Sequence, residues 1–329
     1  MAAVPSPPAS GSRVSWEDLP APIRASIERA CGVPVACTRT QPGGFSPGLA
    51  ARARCADGTR VFIKAVSAEV NPDSRRYHQR EARVLAALDP LITARQLPIP
   101  RLRATAETGP WTALVIDDVD GRQPATSWQS PDIDRVLAAL DQLAGALTPA
   151  PIPVPAVADL YAKAFTGWRT LARQPDTSDL DPSTRDHLGQ LASLEQTWAA
   201  HAAGNTLLHT DLRADNILLT RDRVMVVDWP HACRGAAFVD PVLLAVSVAA
   251  FGGPPPGQVL ALSPAARAAS RDAITATVCA TADYFTERAL RPPPPGISAA
   301  RARQAAQSRA ARQWLAELLD QARPATAGR

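Results

Sequence analysis

The chain has 329 residues, 46% of them hydrophobic, with 35 Lys and Arg against 31 Asp and Glu and a formal net charge of +4. That length and apolar content suit one two-lobed domain or two modest ones and argue against global disorder. A charge this mild, with no Lys/Arg block and no basic-aromatic ladder, gives no nucleic-acid track, and five cysteines without a CxxC pair point to free thiols in a reducing compartment rather than a disulfide frame or zinc site.

The opening MAAVPSPPASGSR has no apolar core of the signal-peptide kind, and the longest apolar run, Val242 to Phe251, is too short to span a bilayer. A soluble cytoplasmic protein without a membrane partner, monomeric or homodimeric, is the expectation. Residues 1–14 read as a flexible Pro/Ser-rich tail. Ser15 then precedes WEDLPAPIRASIERA, a capped helix ending at Cys31-Gly32.

From there to Asp118 the texture is that of strands. VPVACTRT, LAARARCA and RVFIKAVS are short β-type runs, joined by QPGGFSPG and by a hairpin signal at Ala56-Asp57-Gly58. Asn71-Pro72 supplies an N-cap and a first-turn proline for a helix over 72–89. PRLRATAE and WTALVIDD return to strand. Beyond Gly121 helices are expected over 131–148, 155–173, 182–203, 238–251, 263–290 and 297–322, with two short strands within 206–228. The predicted class is α+β and two-lobed: a lobe over 15–118 with about five antiparallel strands and one inserted helix, then a larger helical lobe over 119–329.

The chemistry concentrates in LLHTDLRADNILLTRDRVMVVDWP, residues 207 to 230. Carboxylates beside buried strands are costly unless paired, hydrogen-bonded or bound to a metal. Asp211 and Asn216 lie five apart, and Asp228 ends the apolar run VMVV. A hairpin turning at Arg221-Asp222-Arg223 would bring Asn216 and Asp228 to one end. One amide oxygen and one carboxylate suit Mg²⁺, which binds phosphates through few protein ligands. Asp211 would then be free to orient and deprotonate a hydroxyl, the division of labour that phosphoryl transfer needs.

Lys64 sits in the apolar strand VFIKAV, with Glu81 on the next helix as a partner, an arrangement that binds α- and β-phosphates in protein kinases. Gly43 to Gly48 turn between the first two strands, where backbone N–H groups can approach phosphate and Ser46 adds a hydroxyl. In the order Ser46, Lys64, Glu81, Asp211, Asn216, Asp228 these residues form a nucleotide and phosphoryl-transfer set.

With H-x-D-x-x-x-x-N (His209 to Asn216) followed by an apolar strand ending in Asp228-Trp229, the chain resembles the aminoglycoside phosphotransferase family, antibiotic and small-metabolite kinases with a protein-kinase-like fold. The resemblance covers about residues 34 to 250. It implies Asp211 as catalytic base, Asn216 and Asp228 as Mg²⁺ ligands, Lys64 and Ser46 on the phosphates of ATP or GTP, and adenine bonded by backbone near Asp117 and Val119 in VIDDVDG. It also implies that Asp240 braces the catalytic loop. Arg213 stands where Ser/Thr kinases keep a Lys near the γ-phosphate, and could steady transition-state charge; the other reading is a solvated loop arginine. Trp229-Pro230 in place of Phe-Gly, and no Ala-Pro-Glu, speak against a protein-directed kinase.

The expected acceptor is a small-molecule hydroxyl, an antibiotic first, with primary-metabolite kinases (choline, homoserine or sugar type) and a nucleotide-sensing pseudokinase as alternatives. Ten Arg against six acids from Asp240 onward, set against ten acids and six bases in 120–208, lean away from a polycation and towards a nucleoside, macrolide or sugar. Trp229, His231, Asp283, Tyr284, Glu287 and Trp314 are candidates for the acceptor pocket.

Overall fold

In this computed structural model the described residues are 13–41, 47–125, 127–177, 182–293 and 300–321. The two last residues of the expected tail, Arg13 and Val14, lie against Gly48, with the Val14 N–H donating to its carbonyl at 3.3 Å. Ser15 and Asp18 close a reciprocal turn, the Ser15 hydroxyl donating to Asp18 Oδ2 at 2.7 Å. The first helix, α1, nevertheless covers only Ala21–Cys31. Pro20 and Pro22 set that limit, because proline is accommodated only where first-turn N–H groups have no helical partner.

Five strands make an antiparallel sheet in the order β1-β2-β3-β5-β4: β1 Val35–Thr40, β2 Leu49–Cys55, β3 Arg60–Ser67, β4 Leu102–Thr108 and β5 Trp111–Asp117. Side chains alternate across it with period two. Val61, Ile63, Ala65, Ala113 and Val115 pack on Ile23 and Ile27 of α1. Leu114 and Ile116 point the other way, into a core shared with the helix α2, Pro72–Arg95. Lys64, between Ile63 and Ala65 and opposite Leu114, therefore falls on the α2 face. Asn71 caps α2, its Oδ1 accepting from the Ser74 N–H at 2.9 Å. The helix runs past the expected end at Asp89 and through Pro90, since Leu88 and Ile92 on either side are both buried in the core.

The C-terminal part is mainly helical: α3 Ser130–Ala146, α4 Val157–Tyr161, α5 Gly167–Leu171, α6 Pro182–Asp186, α7 Leu188–His201, α8 Val239–Ala250, α9 Pro256–Ala261, α10 Pro264–Arg267, α11 Arg271–Leu290 and α12 Ala300–Asp320. Between α7 and α8 come β6 Thr206–Leu208, β7 Ile217–Leu219, β8 Val224–Val226 and β9 Cys233–Gly235. Strands β7 and β8 pair as the expected hairpin, whereas β6 pairs with β9, a strand the sequence pattern does not announce. Helix α8 buries Val242, Leu244, Ala245, Val246 and Val248 completely and forms the centre of this half.

Three expected helices are divided. Residues 155–173 split into α4 and α5 because the first N–H groups of α5 are capped by carboxylates from distant elements: Gly167 donates to Asp283 at 2.7 Å, Trp168 and Arg169 to Glu195 at 3.2 and 3.1 Å. Residues 263–290 split into α10 and α11 because Ser263 and Ser270 each accept an N–H bond as an N-cap. Residues 182–203 divide into α6 and α7 at His187. Among the described residues no helix is long and apolar enough to cross a membrane.

Candidate active site

Lys64 Nζ donates to both carboxylate oxygens of Glu81 on α2 and to Asp228 Oδ1, each at 2.8 Å. Glu81 is 2% exposed, so its charge survives burial only with that ammonium beside it. Burial works against the charged lysine, but Asp228 and Glu81 outweigh it and hold Lys64 above the ordinary Lys range. For Asp228 burial is likewise overcome by Lys64, which keeps the carboxyl well below the usual range. The pair is therefore ionised at neutral pH.

Asp228 adopts φ +70° just after β8, a left-handed conformation that Asp tolerates better than most residues. The hairpin register sets Ile217 opposite Val226, and the Val227 N–H donates to the Asn216 carbonyl at 2.9 Å, so Asn216 and Asp228 come to one end of the hairpin. The Asn216 amide nitrogen donates to Asp211 twice, to its carbonyl at 2.8 Å and to its Oδ2 at 3.1 Å. Its oxygen is thereby the end on offer to a cation.

The loop carrying Asp211 is over-determined. Thr210 has φ +61°, a strained geometry for a β-branched residue. Asp240, at the start of α8, holds it there by accepting the N–H groups of His209 and Thr210, both at 2.8 Å. Tyr161 donates to the Thr210 hydroxyl at 3.0 Å, and that hydroxyl donates to the His231 carbonyl at 3.1 Å. His209 Nδ1 accepts from the Asp211 N–H at 3.1 Å while Nε2 meets the Val227 carbonyl at 3.0 Å, which fixes the neutral tautomer with the proton on Nε2. Burial also lowers its pKa. His209 is thus a strut between Asp211 and the strand before Asp228.

Burial pushes the Asp211 carboxyl above the ordinary Asp range, with Arg213 and His231 pulling the other way. Arg213 Nη1 donates to Asp211 Oδ1 at 2.9 Å, and its Nε and Nη2 grip Asp215 at 3.0 and 3.2 Å. It is no solvated loop arginine. Arg303 from α12 reaches the same Asp215 at 3.0 Å.

The remaining expected residues are placed as follows. Asp117 ends β5 with its N–H given to the Arg101 carbonyl at 2.9 Å and its carboxylate bonded to Arg103 and to the Arg101 N–H. Val119 lies two residues on, its carbonyl accepting from the Gly121 N–H at 3.1 Å. Ser46 is outside the described residues.

The APH model, described as a phosphotransferase enzyme family, matches residues 56–276. The chain belongs to this family. It is a phosphotransferase. Among solved structures this phosphotransferase is similar to the aminoglycoside phosphotransferase of Alicyclobacillus acidocaldarius, at 15% identity over 92% of this chain and 96% of that one with a TM-score of 0.57. It is similar to choline kinase LicA of Streptococcus pneumoniae at 12% identity, over 89% and 98%, with a TM-score of 0.58. Amicoumacin kinase hAmiN, in complex with AMP-PNP, Ca²⁺ and Ami, gives 11% identity over 90% and 92% with a TM-score of 0.57. At these identities the likeness shows the fold. No curated protein matches the chain by sequence.

The cavity beside Asp211 holds two of the six residues expected at the acceptor pocket. His231 and Tyr284 line it. Trp229 is buried against His209 with ring centroids 4.8 Å apart, Asp283 is turned to Gly167, Glu287 pairs with Arg291, and Trp314 is 3% exposed in the helical core. Conversely Tyr161, Arg80, Arg288 and Arg303 line the cavity but escape sequence reasoning, because nothing near them in the chain marks which face of their helix meets it.

Proposed function

We propose that this phosphotransferase transfers the γ-phosphoryl group of ATP or GTP to a hydroxyl of a small molecule, with an antibiotic as the first candidate acceptor. The observation that supports this best is that Asn216, hydrogen-bonded to Asp211, and Asp228, paired with Lys64, come to one end of the β7–β8 hairpin. The nucleotide belongs to residues 15–118, with the β- and γ-phosphates towards Lys64 and the base at the Asp117–Val119 backbone. Residues 119–329 then supply the catalytic loop and the acceptor site. Ser46 would add a hydroxyl to the phosphates.

The donor set fits a hard divalent cation. Asn216 presents an amide oxygen and Asp228 an ionised carboxylate, and among the described residues no cluster of three or more His, Cys, Asp or Glu forms a cage by itself. A cation held here would take its other ligands from phosphate and water, as Mg²⁺ does. Mg²⁺, when bound, supplies neutralisation of the phosphate charge.

Asp211 orients the acceptor hydroxyl and takes its proton as the hydroxyl oxygen bonds to the γ-phosphorus. The bond from that phosphorus to the β–γ bridging oxygen breaks, and a nucleoside diphosphate leaves. Lys64, steadied by Glu81, offsets charge on the departing phosphates. Arg213 holds Asp211 and opposes the rise in pKa that burial imposes on it.

The test is mass spectrometry of a panel of antibiotics and metabolic alcohols incubated with Mg²⁺ and ATP or GTP, beside the Asp211→Ala protein. A phosphorylated product from the wild type, reduced at least about a thousandfold in the variant, is expected. Product formed equally by both proteins would remove Asp211 from the mechanism.

A further inference from the structure

A cavity of about 350 Å³ opens beside Asp211. Tyr161, Phe165, Trp198, Tyr284 and Phe285 wall it, neighbouring rings lying 4.6 to 6.0 Å apart between centroids. Such a wall takes an apolar or aromatic body.

The charges around this wall are unequal. Among the described residues lining the cavity Asp211 is the one carboxylate, against Arg80, Arg213, Arg288 and Arg303. Arg213 bridges Asp211 and Asp215, and Arg303 also donates to Asp215, so two guanidinium groups offset two carboxylates. His231 adds no charge at neutral pH, because burial lowers its pKa. Arg80 and Arg288 are left over. The Arg288 guanidinium stacks over Tyr284 at 4.9 Å from the ring centroid, and its buried Nε has no hydrogen-bond partner among the described residues. A buried N–H without an acceptor is costly to keep, and a ligand acceptor removes that cost.

We propose that the acceptor is an anionic hydroxy compound, an aromatic or apolar body bearing a carboxylate, phosphate or sulfonate that Arg288 binds with Arg80 adding to the field. This rests on the phosphotransferase reading of Asp211 and names its substrate class. A polycationic aminoglycoside, or a quaternary ammonium such as choline, would enter a cavity of its own sign. The aromatic body lies against Tyr161, Phe165 and Tyr284, the anion at Arg288, and the hydroxyl at Asp211.

The experiment is fluorescence titration of the full chain with anilinonaphthalene sulfonate, an anionic aromatic probe, and with N-phenylnaphthylamine, which has similar rings and no charge. The sulfonate is expected to bind at least about tenfold more tightly. Arg288→Ala should abolish that preference and Arg288→Lys retain most of it, with the neutral probe binding all three proteins alike. Equal affinity for the two probes in the wild type, or a preference that Arg288→Ala leaves intact, overturns the proposal. Mg²⁺-dependent binding of a fluorescent ATP analogue is read on the same samples. Its retention where the charge preference is missing sinks the acceptor class alone, and its absence from the wild type sinks the nucleotide site on which the class rests.

Discussion

At Asp211 two opposing effects decide the chemistry: burial raises the carboxyl's pKa, and Arg213 lowers it. The base proposed at Asp211 works ionised, so activity should fall as pH drops through its folded pKa. The acid limb of kcat/KM should therefore lie above that of an ordinary Asp. Arg213→Met removes the largest opposing influence, and a pH profile should show the limb displaced to higher pH. A fall in kcat with the limb unmoved would instead assign Arg213 to transition-state charge. Lys64 carries a second prediction. Replacing it by Met leaves Glu81 buried without a cation, which should cost about 3 kcal/mol or more in urea denaturation as well as weakening nucleotide binding. Unchanged stability would mean that Glu81 is protonated or hydrated in the folded protein.

Among the elements, α5 shows how a short helix is held. Five residues cannot be helical by propensity alone, and Gly167 lies so close to Asp283 that a Cβ there would stand 1.8 Å from its Oδ1. Asp283, on α11, is 1% exposed and hydrogen-bonded to Glu195 of α7. Burial, then Glu195, pushes its pKa up to about 8. The folded protein thus keeps a proton that the unfolded chain releases above an ordinary Asp pKa. Its contribution to stability is complete at acid pH and is lost as pH rises towards about 8. Asp283→Asn mimics the protonated form and keeps both hydrogen bonds. It should leave the melting temperature little changed near pH 4 and raise stability by several kcal/mol at pH 8. A variant less stable than the wild type at both pH values would show that the carboxylate is needed ionised.

For the molecule as a whole, the Lys64–Asp228 ion pair ties the five-stranded sheet to the β7–β8 hairpin of the helical half. In the proposed site Mg²⁺ and nucleotide together would engage residues from both halves, whereas nucleotide without metal would lose the Asn216 and Asp228 contacts. At a hundredfold excess over Kd, binding stabilises by about 2.7 kcal/mol. Thermal denaturation should accordingly show an upward shift of several degrees with Mg-nucleotide, most of it lost on chelation or in Asp228→Ala. An equal shift in that variant would remove Asp228 from the metal site.

The local chemistry was legible in the chain because it is carried by short spacings. Two residue types five apart, a strand-ending Asp, and a lysine in an apolar strand are set by periodicity and turn chemistry, and the hairpin register then places Asn216 beside Asp228. The five strands and α2 were visible for the same reason, as period-two and period-3.6 patterns with their caps. What lay between distant segments was not. The caps of α5 come from α7 and α11, β9 finds its partner in β6, and Arg80, Arg288 and Tyr161 come to the cavity beside Asp211 from three separate helices. Sequence periodicity says which residues share a face, but packing alone decides what that face meets. The cluster of Lys64, Glu81, Asp211, Asn216 and Asp228, built from local motifs, was therefore readable in advance, while the lining of the cavity beside Asp211, assembled from helix faces far apart in the chain, was settled only by the tertiary structure.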